Sequence, residues 1–163
     1  MAMTKQELLD AFSHANWVYG NCELQRRLCE AFRNYAQSAL DNSANTTGTD
    51  QELIDGQRAA AVKKLAEVTT ALAEATTTLH GFHSGITLGI NLTNDDRLTE
   101  AESQLDITKG GIKDAINKIT ALVTLCYLLE VLCRSLMRTL GVPWMPPSLP
   151  VDTGVTFPPT PGP

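Results

Sequence analysis

Four cysteines carry the most obvious chemistry in this chain, and they come as two pairs of equal spacing. Cys22 and Cys29 lie seven residues apart, and so do Cys126 and Cys133. Seven residues are about two helical turns, so each pair would share one helix face, with its members about 10.5 Å apart along the axis. Two chemistries suit that pattern: a four-thiolate metal centre, or two disulfides between helices. The metal centre fails on distance, because tetrahedral Zn–S bonds are about 2.3 Å long and one ion cannot serve two layers so far apart. Disulfides persist in oxidising compartments, and the N-terminus MAMTKQELLDAF lacks the apolar core of a secretion signal. The expectation is four reduced thiols acting as small apolar residues. For the first and last helices, running parallel, the expected pairing sets Cys22 level with Cys126 and Cys29 level with Cys133.

The other candidates are weaker. His80 and His83, in LHGFHSG, have a spacing that can bring two imidazoles to one metal. No third ligand is identifiable, and the dipole at a helix C-terminus already favours such residues. Asp95, Asp96, Glu100 and Glu102 could pair for acid–base or metal work, but they stand where a helix begins and capping explains them. No Glu-x-x-His pair of the di-iron bundles is present, there is no nucleophile elbow, and KGGIK lacks the ending of a phosphate-binding loop. No catalytic, cofactor-binding or metal-binding residue is assigned, and the chain is read as not an enzyme.

The elements that hold these residues are legible from proline. All eight prolines lie at or after Pro143, in GVPWMPPSLPVDTGVTFPPTPGP. Proline breaks helix interiors, and the proline-free body reads as long helices. Thr4 and Glu7 form a capping-box pattern. From there one stripe runs Leu8, Ala11, Ala15, Val18, Cys22, Gln25, Cys29, Phe32, Ala36, Ala39 in unbroken steps of three and four, a heptad seam. DNSANTTGT is made of turn residues. A second helix opens at Thr49 or Asp50, with the seam Ala61, Leu65, Val68, Leu72, Ala75, Leu79, Phe82, and is expected to end at Gly81 and Gly85. Ser84–Asn94 is expected to be an ordered loop, because Ile86, Leu88, Ile90 and Leu92 alternate and a lone strand has no partner. A third helix begins near Asn94 or Asp95. Gly110 and Gly111, costing about 2 kcal/mol together in a helix interior, predict a kink or a break. The last seam runs Ile112, Ala115, Ile119, Leu122, Cys126, Leu129, Cys133, Leu136, Leu140. Gly141 then reads as the residue after the helix end, and Pro143 bars continuation.

The fold class that follows is all-α. Residues 1–141 form an antiparallel bundle of three long helices, or four if the glycine pair is a break, and residues 142–163 form an extended proline-rich arm. The final helix carries more apolar surface than one seam needs: Val123, Leu125, Tyr127, Leu128, Val131 and Leu132 are additional. That surplus calls for a cover: either this is the central helix of the fold, or its outer face meets another subunit, or the arm lies across it.

Charge and composition limit the partners. With 13 basic and 18 acidic side chains and a net charge of −5, the chain lacks the basic balance of a nucleic-acid binder. Its most apolar run, Ile119–Cys133, is fifteen residues long and contains Glu130, short of the ~20 residues of a membrane span. A cytoplasmic or cytoplasmically assembled protein with no membrane partner is expected. The arm carries one charge, Asp152, and several apolar anchors, and proline stiffening lowers the entropy lost when such a segment docks. Pro143-x-x-Pro146 and Pro147-x-x-Pro150 match the PxxP pattern but lack a close basic flank. Trp144, Met145, Leu149 and Phe157 of the arm, with Ile86 and Leu88 of the loop, are the candidate partner-binding residues. The functional expectation is a structural or assembly protein that binds protein, as a homo-oligomer or as part of a multi-subunit assembly. Small particle-associated proteins of viruses and phages share that physical form. A monomeric adaptor or inhibitor is the alternative.

Overall fold

The structure is a computed structural model that describes residues 2–151; Phe157 and the rest of the chain after Val151 lie outside the described residues. Three helices account for the body: α1 (Lys5–Asn42), α2 (Gln51–Asn94) and α3 (Leu98–Leu140). Among the described residues there is no strand. The helices start and stop for local reasons. Glu7 N–H donates to Thr4 Oγ1 at 3.1 Å and Thr4 N–H to Glu7 Oε1 at 3.3 Å, the reciprocal cap expected of α1. Asp50 caps α2, accepting from Leu53 N–H at 3.1 Å. At the end of α3, Gly141 takes φ +70° while Gly141 and Val142 donate back to the Arg138 and Met137 carbonyls, a Schellman turn.

Two expectations are corrected. First, Ser84–Asn94 is not a loop: α2 runs through it to Asn94. Its buried residues Leu79, Phe82, Ile86, Gly89 and Thr93 continue the heptad spacing, and that phase outweighs the apparent alternation. Ile86 therefore faces the core, and Leu88 lies on the outer face, 49% exposed. The turn comes later, where Asp96 adopts φ 60° and Arg97 N–H reaches the Leu92 carbonyl at 2.9 Å. It is a second Schellman turn, with aspartate in the place glycine usually takes. Second, Gly110–Gly111 does not interrupt α3, which is one helix from Leu98 to Leu140. The bundle has three helices, not four.

The chain forms two compact units, and every helix contributes to both. The first comprises the described residues of Met1–Leu24 and Glu74–Ile119. Leu8, Phe12, Ala101 and Leu105 form its buried cluster, with Met3, Ile90 and Leu98 packed around them. Phe12 lies against Gly89, so closely that a Cβ there would sit 2.1 Å from the ring. Phe82 lies likewise against Gly111, at 2.9 Å. These glycines are sites of close helix approach, which is why they persist inside helices. Tyr19 meets Phe82 edge-on at 6.4 Å, and Lys118 Nζ pairs with Glu74 at 3.3 Å. As α1 ascends from Phe12 to Tyr19, its partners on α2 descend from Gly89 to Phe82, so those two helices are antiparallel in this unit.

The second unit comprises the described residues of Gln25–Ala73 and Thr120–Asp152. Phe32, Ile54, Ala61, Val68, Leu122, Leu129 and Leu136 are fully buried in it, while Leu72, on the seam by spacing, is only half-buried. Arg33 Nε donates to Thr69 Oγ1 at 3.0 Å between α1 and α2. Arg58 donates to the Thr46 carbonyl at 3.3 Å, tying α2 to the loop before it.

The close contacts predict opposite outcomes for two glycine substitutions on α2. Gly89→Ala should lower stability by about 1–3 kcal/mol, because the rigid Phe12 ring must move. Gly81, with nothing within 4 Å of an added Cβ, should gain about 0.5–1 kcal/mol on conversion to alanine. Urea unfolding followed by circular dichroism measures both.

Candidate interaction site

The cysteines can now be placed. All four are buried free thiols. The thiol beside Cys29 is that of Cys126, not Cys133. Cys29 stands thirteen residues before the end of α1 and Cys126 fourteen before the end of α3, so helices level at their C-terminal ends pair these two, one heptad away from the expected pairing. Contact with Cys29, then burial, pushes the Cys126 thiol far above its ordinary range. Burial raises Cys22 to about 12. Burial and then the charge of Glu130 raise Cys133 to about 12. Since the thiolate is the nucleophile and the metal ligand, these groups are unreactive at neutral pH. His80 and His83 are both exposed, and His83 stacks on Tyr19 with ring centroids 4.5 Å apart. Among the described residues no three His, Cys, Asp or Glu side chains form a group able to hold a metal ion. Asp96 pairs with Lys5 at 3.0 Å, Glu100 with Arg97, and Glu102 accepts from the Met3 amide.

The second unit carries the arrangement with most to offer a partner. The Schellman turn at Gly141 reverses the chain, and residues 142–151 pass back between α1 and α3. Trp144 packs edge-on against Phe32 at 6.2 Å and Tyr35 at 5.1 Å. Its indole N–H donates to Glu130 Oε1 at 3.3 Å, and Glu130 also holds Arg134. Met145 N–H donates to the Tyr35 hydroxyl oxygen at 2.9 Å. Further along, the Tyr127 hydroxyl donates to the Pro150 carbonyl, and Pro150 is buried. Of the expected anchors, Trp144 and Leu149 are thus half-buried on the protein's own helices, and Met145 points outward, 81% exposed. Phe157 lies outside the described residues. Ile86 is part of the core of the first unit and is removed from the candidate surface; Leu88 is exposed on α2, outside any loop.

Sequence reasoning placed Tyr127 in the surplus that the arm could cover and missed the other receptors for this segment: Phe32, Tyr35 and Glu130. A signal was present, because Tyr35 and Tyr127 are amphipathic aromatics just off the seams, where a ring can pack while its hydroxyl finds a polar partner.

The segment leaves another face of α3 open. Leu128 is 47% exposed and Val131 55%; Leu125 and Leu132 are half-buried. Beside Leu132 a shallow groove of about 520 Å³ is lined by Asp50, Glu52, Leu53, Gly56, Gln57 and Ala60 of α2. By length and composition α3 has a stretch that could cross a membrane, and 39% of that stretch is buried. The inner helix of a bundle has the same length and composition, so these establish no membrane span. The chain matches no protein-family model, no curated protein and no solved structure.

Two measurements check this site. Trp144→Ala should cost about 2 kcal/mol through its lost aromatic contacts, whereas Met145→Ala should stay within about 0.5 kcal/mol. For Cys22, Cys126 and Cys133 the folded values lie above the unfolded value of about 8.5. Their contribution is therefore complete below that pH and is lost as pH rises toward about 12. Denaturation midpoints should fall with pH over that interval, and fall less in Cys22→Ala and Cys133→Ala, each compared with its own midpoint at neutral pH.

Proposed function

We propose that this chain is a non-catalytic structural or assembly protein, a helical bundle that joins copies of itself or a larger protein assembly through its final helix. The observation that carries the reading is the outward apolar face of α3 at Leu128 and Val131. It lies in a stretch, Ile119–Cys133, whose single charged residue, Glu130, is engaged by Trp144 and Arg134. An uncharged, apolar helix face left open to water is the usual mark of a protein contact. In this reading residues 142–150 act as a strap that closes the groove between α1 and α3 of the second unit. The strap then presents Met145 to a partner. Native mass spectrometry of the purified chain tests this: a defined oligomer is expected, and a monomer at every concentration would favour the adaptor reading instead.

A further inference from the structure

We infer that the outward face of α3 is an isologous interface, on which α3 of a second copy packs antiparallel about a twofold axis at Leu128. The inference rests on the assembly reading and specifies its contact. Residues three, four and seven positions either side of Leu128 point within about 60° of it on a helix. They are Leu125 and Val131, Thr124 and Leu132, Ala121 and Ser135. None is charged, and Ala121, Thr124, Leu128, Val131 and Ser135 are exposed.

The pattern complements itself when reversed. A twofold axis at Leu128 sets each residue opposite the one equally far on the other side. Leu125 then meets Val131 of the second copy, Thr124 meets Leu132, and Ala121 meets Ser135. Apolar groups occupy the centre and small residues both ends, where helices must come close. Glu130, 200° around the helix from Leu128, is turned away and bonded to Trp144.

Charge selects the antiparallel direction. Asp50 and Glu52 line the groove beside Leu132, at one end of the face. A parallel pair would bring the two acidic sets together, and like charges placed face to face are unfavourable. The antiparallel pair separates them. It also brings Thr124 of the second copy to the groove at Gly56 and Ala60, where nothing lies within 4 Å of an added Cβ at Gly56. The face between Ala121 and Ser135 is about 22 Å long. That is a contact at the small end of protein interfaces, so the dimer is expected to form progressively as concentration rises.

Sedimentation equilibrium on the full chain tests the inference. The natural protein should shift from monomer mass toward dimer mass with concentration, and Leu128→Glu should weaken that shift at least tenfold. Leu24→Glu, an equally exposed change on α1, should leave it intact, and circular dichroism should show both variants as helical as the natural protein. Orientation is read by oxidising mixed single-cysteine variants, the native thiols being buried. Leu125→Cys should cross-link to Val131→Cys in preference to either variant with itself. Self cross-links in preference, or an oligomer indifferent to Leu128→Glu, would overturn this interface while leaving the assembly reading in place. A strictly monomeric chain would end both. A monomer that floats with neutral phospholipid vesicles, and loses that property with Leu128→Glu, would give the face to lipid and overturn the inference.

Discussion

Close contact between aromatic rings and bare helix backbone is the constraint on which the first unit depends. Phe12 lies where a side chain on Gly89 would be, and Phe82 lies where one on Gly111 would be. Each glycine costs its helix about 1 kcal/mol relative to alanine. A buried phenylalanine contributes about 1.5–3 kcal/mol through apolar area alone, more than offsetting that cost. The ring cannot be accommodated unless the facing position lacks a Cβ. Thus the residues that look like helix breakers are what allow α2 and α3 to stay continuous and approach their neighbours.

The second unit solves a different problem with different side chains. Its seam at Cys29, Cys126 and Cys133 uses small thiols where bulkier residues would hold the helices apart; contact with Cys29 and burial keep the Cys126 thiol protonated, and burial does the same for Cys133. Phe32 of the seam, with Tyr35 and Tyr127 beside the seams, supplies a platform on which residues 142–151 can lie. Proline suits that segment because it has no N–H to satisfy and little freedom to lose. The hydrogen bonds that anchor it go to the Tyr35 and Tyr127 hydroxyls and the Glu130 carboxylate instead of to another backbone strand.

These two solutions leave α3 with unequal sides in the second unit. One side is the core seam, and an adjoining part is covered by the returning chain. The remaining side shows Leu128 and Val131 to solvent next to the shallow groove at Gly56 and Ala60. The surplus of apolar residues on this helix therefore divides into a part used internally and a part that is open, and the open part carries the proposed assembly contact.

Much of the fold is written locally. The cap at Thr4 and Glu7, the stop at Gly141, the heptad seams and the proline-free body each follow from backbone hydrogen bonding and helical period, which neighbouring residues settle among themselves. The burial of all four cysteines was legible for the same reason, since each falls on a seam. Three things were decided only by tertiary contact. Gly81 and Gly85 read as a helix end, and Gly110–Gly111 as a kink or a break, because their cost is local, whereas the rings of Phe12 and Phe82 that occupy the Cβ space of Gly89 and Gly111 come from other helices. Ile86 and Leu88 read as neighbours on a docking loop, yet a continuous helix sends them to opposite environments. That Cys29 touches Cys126 rests on α1 and α3 packing side by side with their C-terminal ends level. The level is legible from the helix ends, but the packing is set by many side-chain contacts between helices, which the spacing of residues along either helix does not contain.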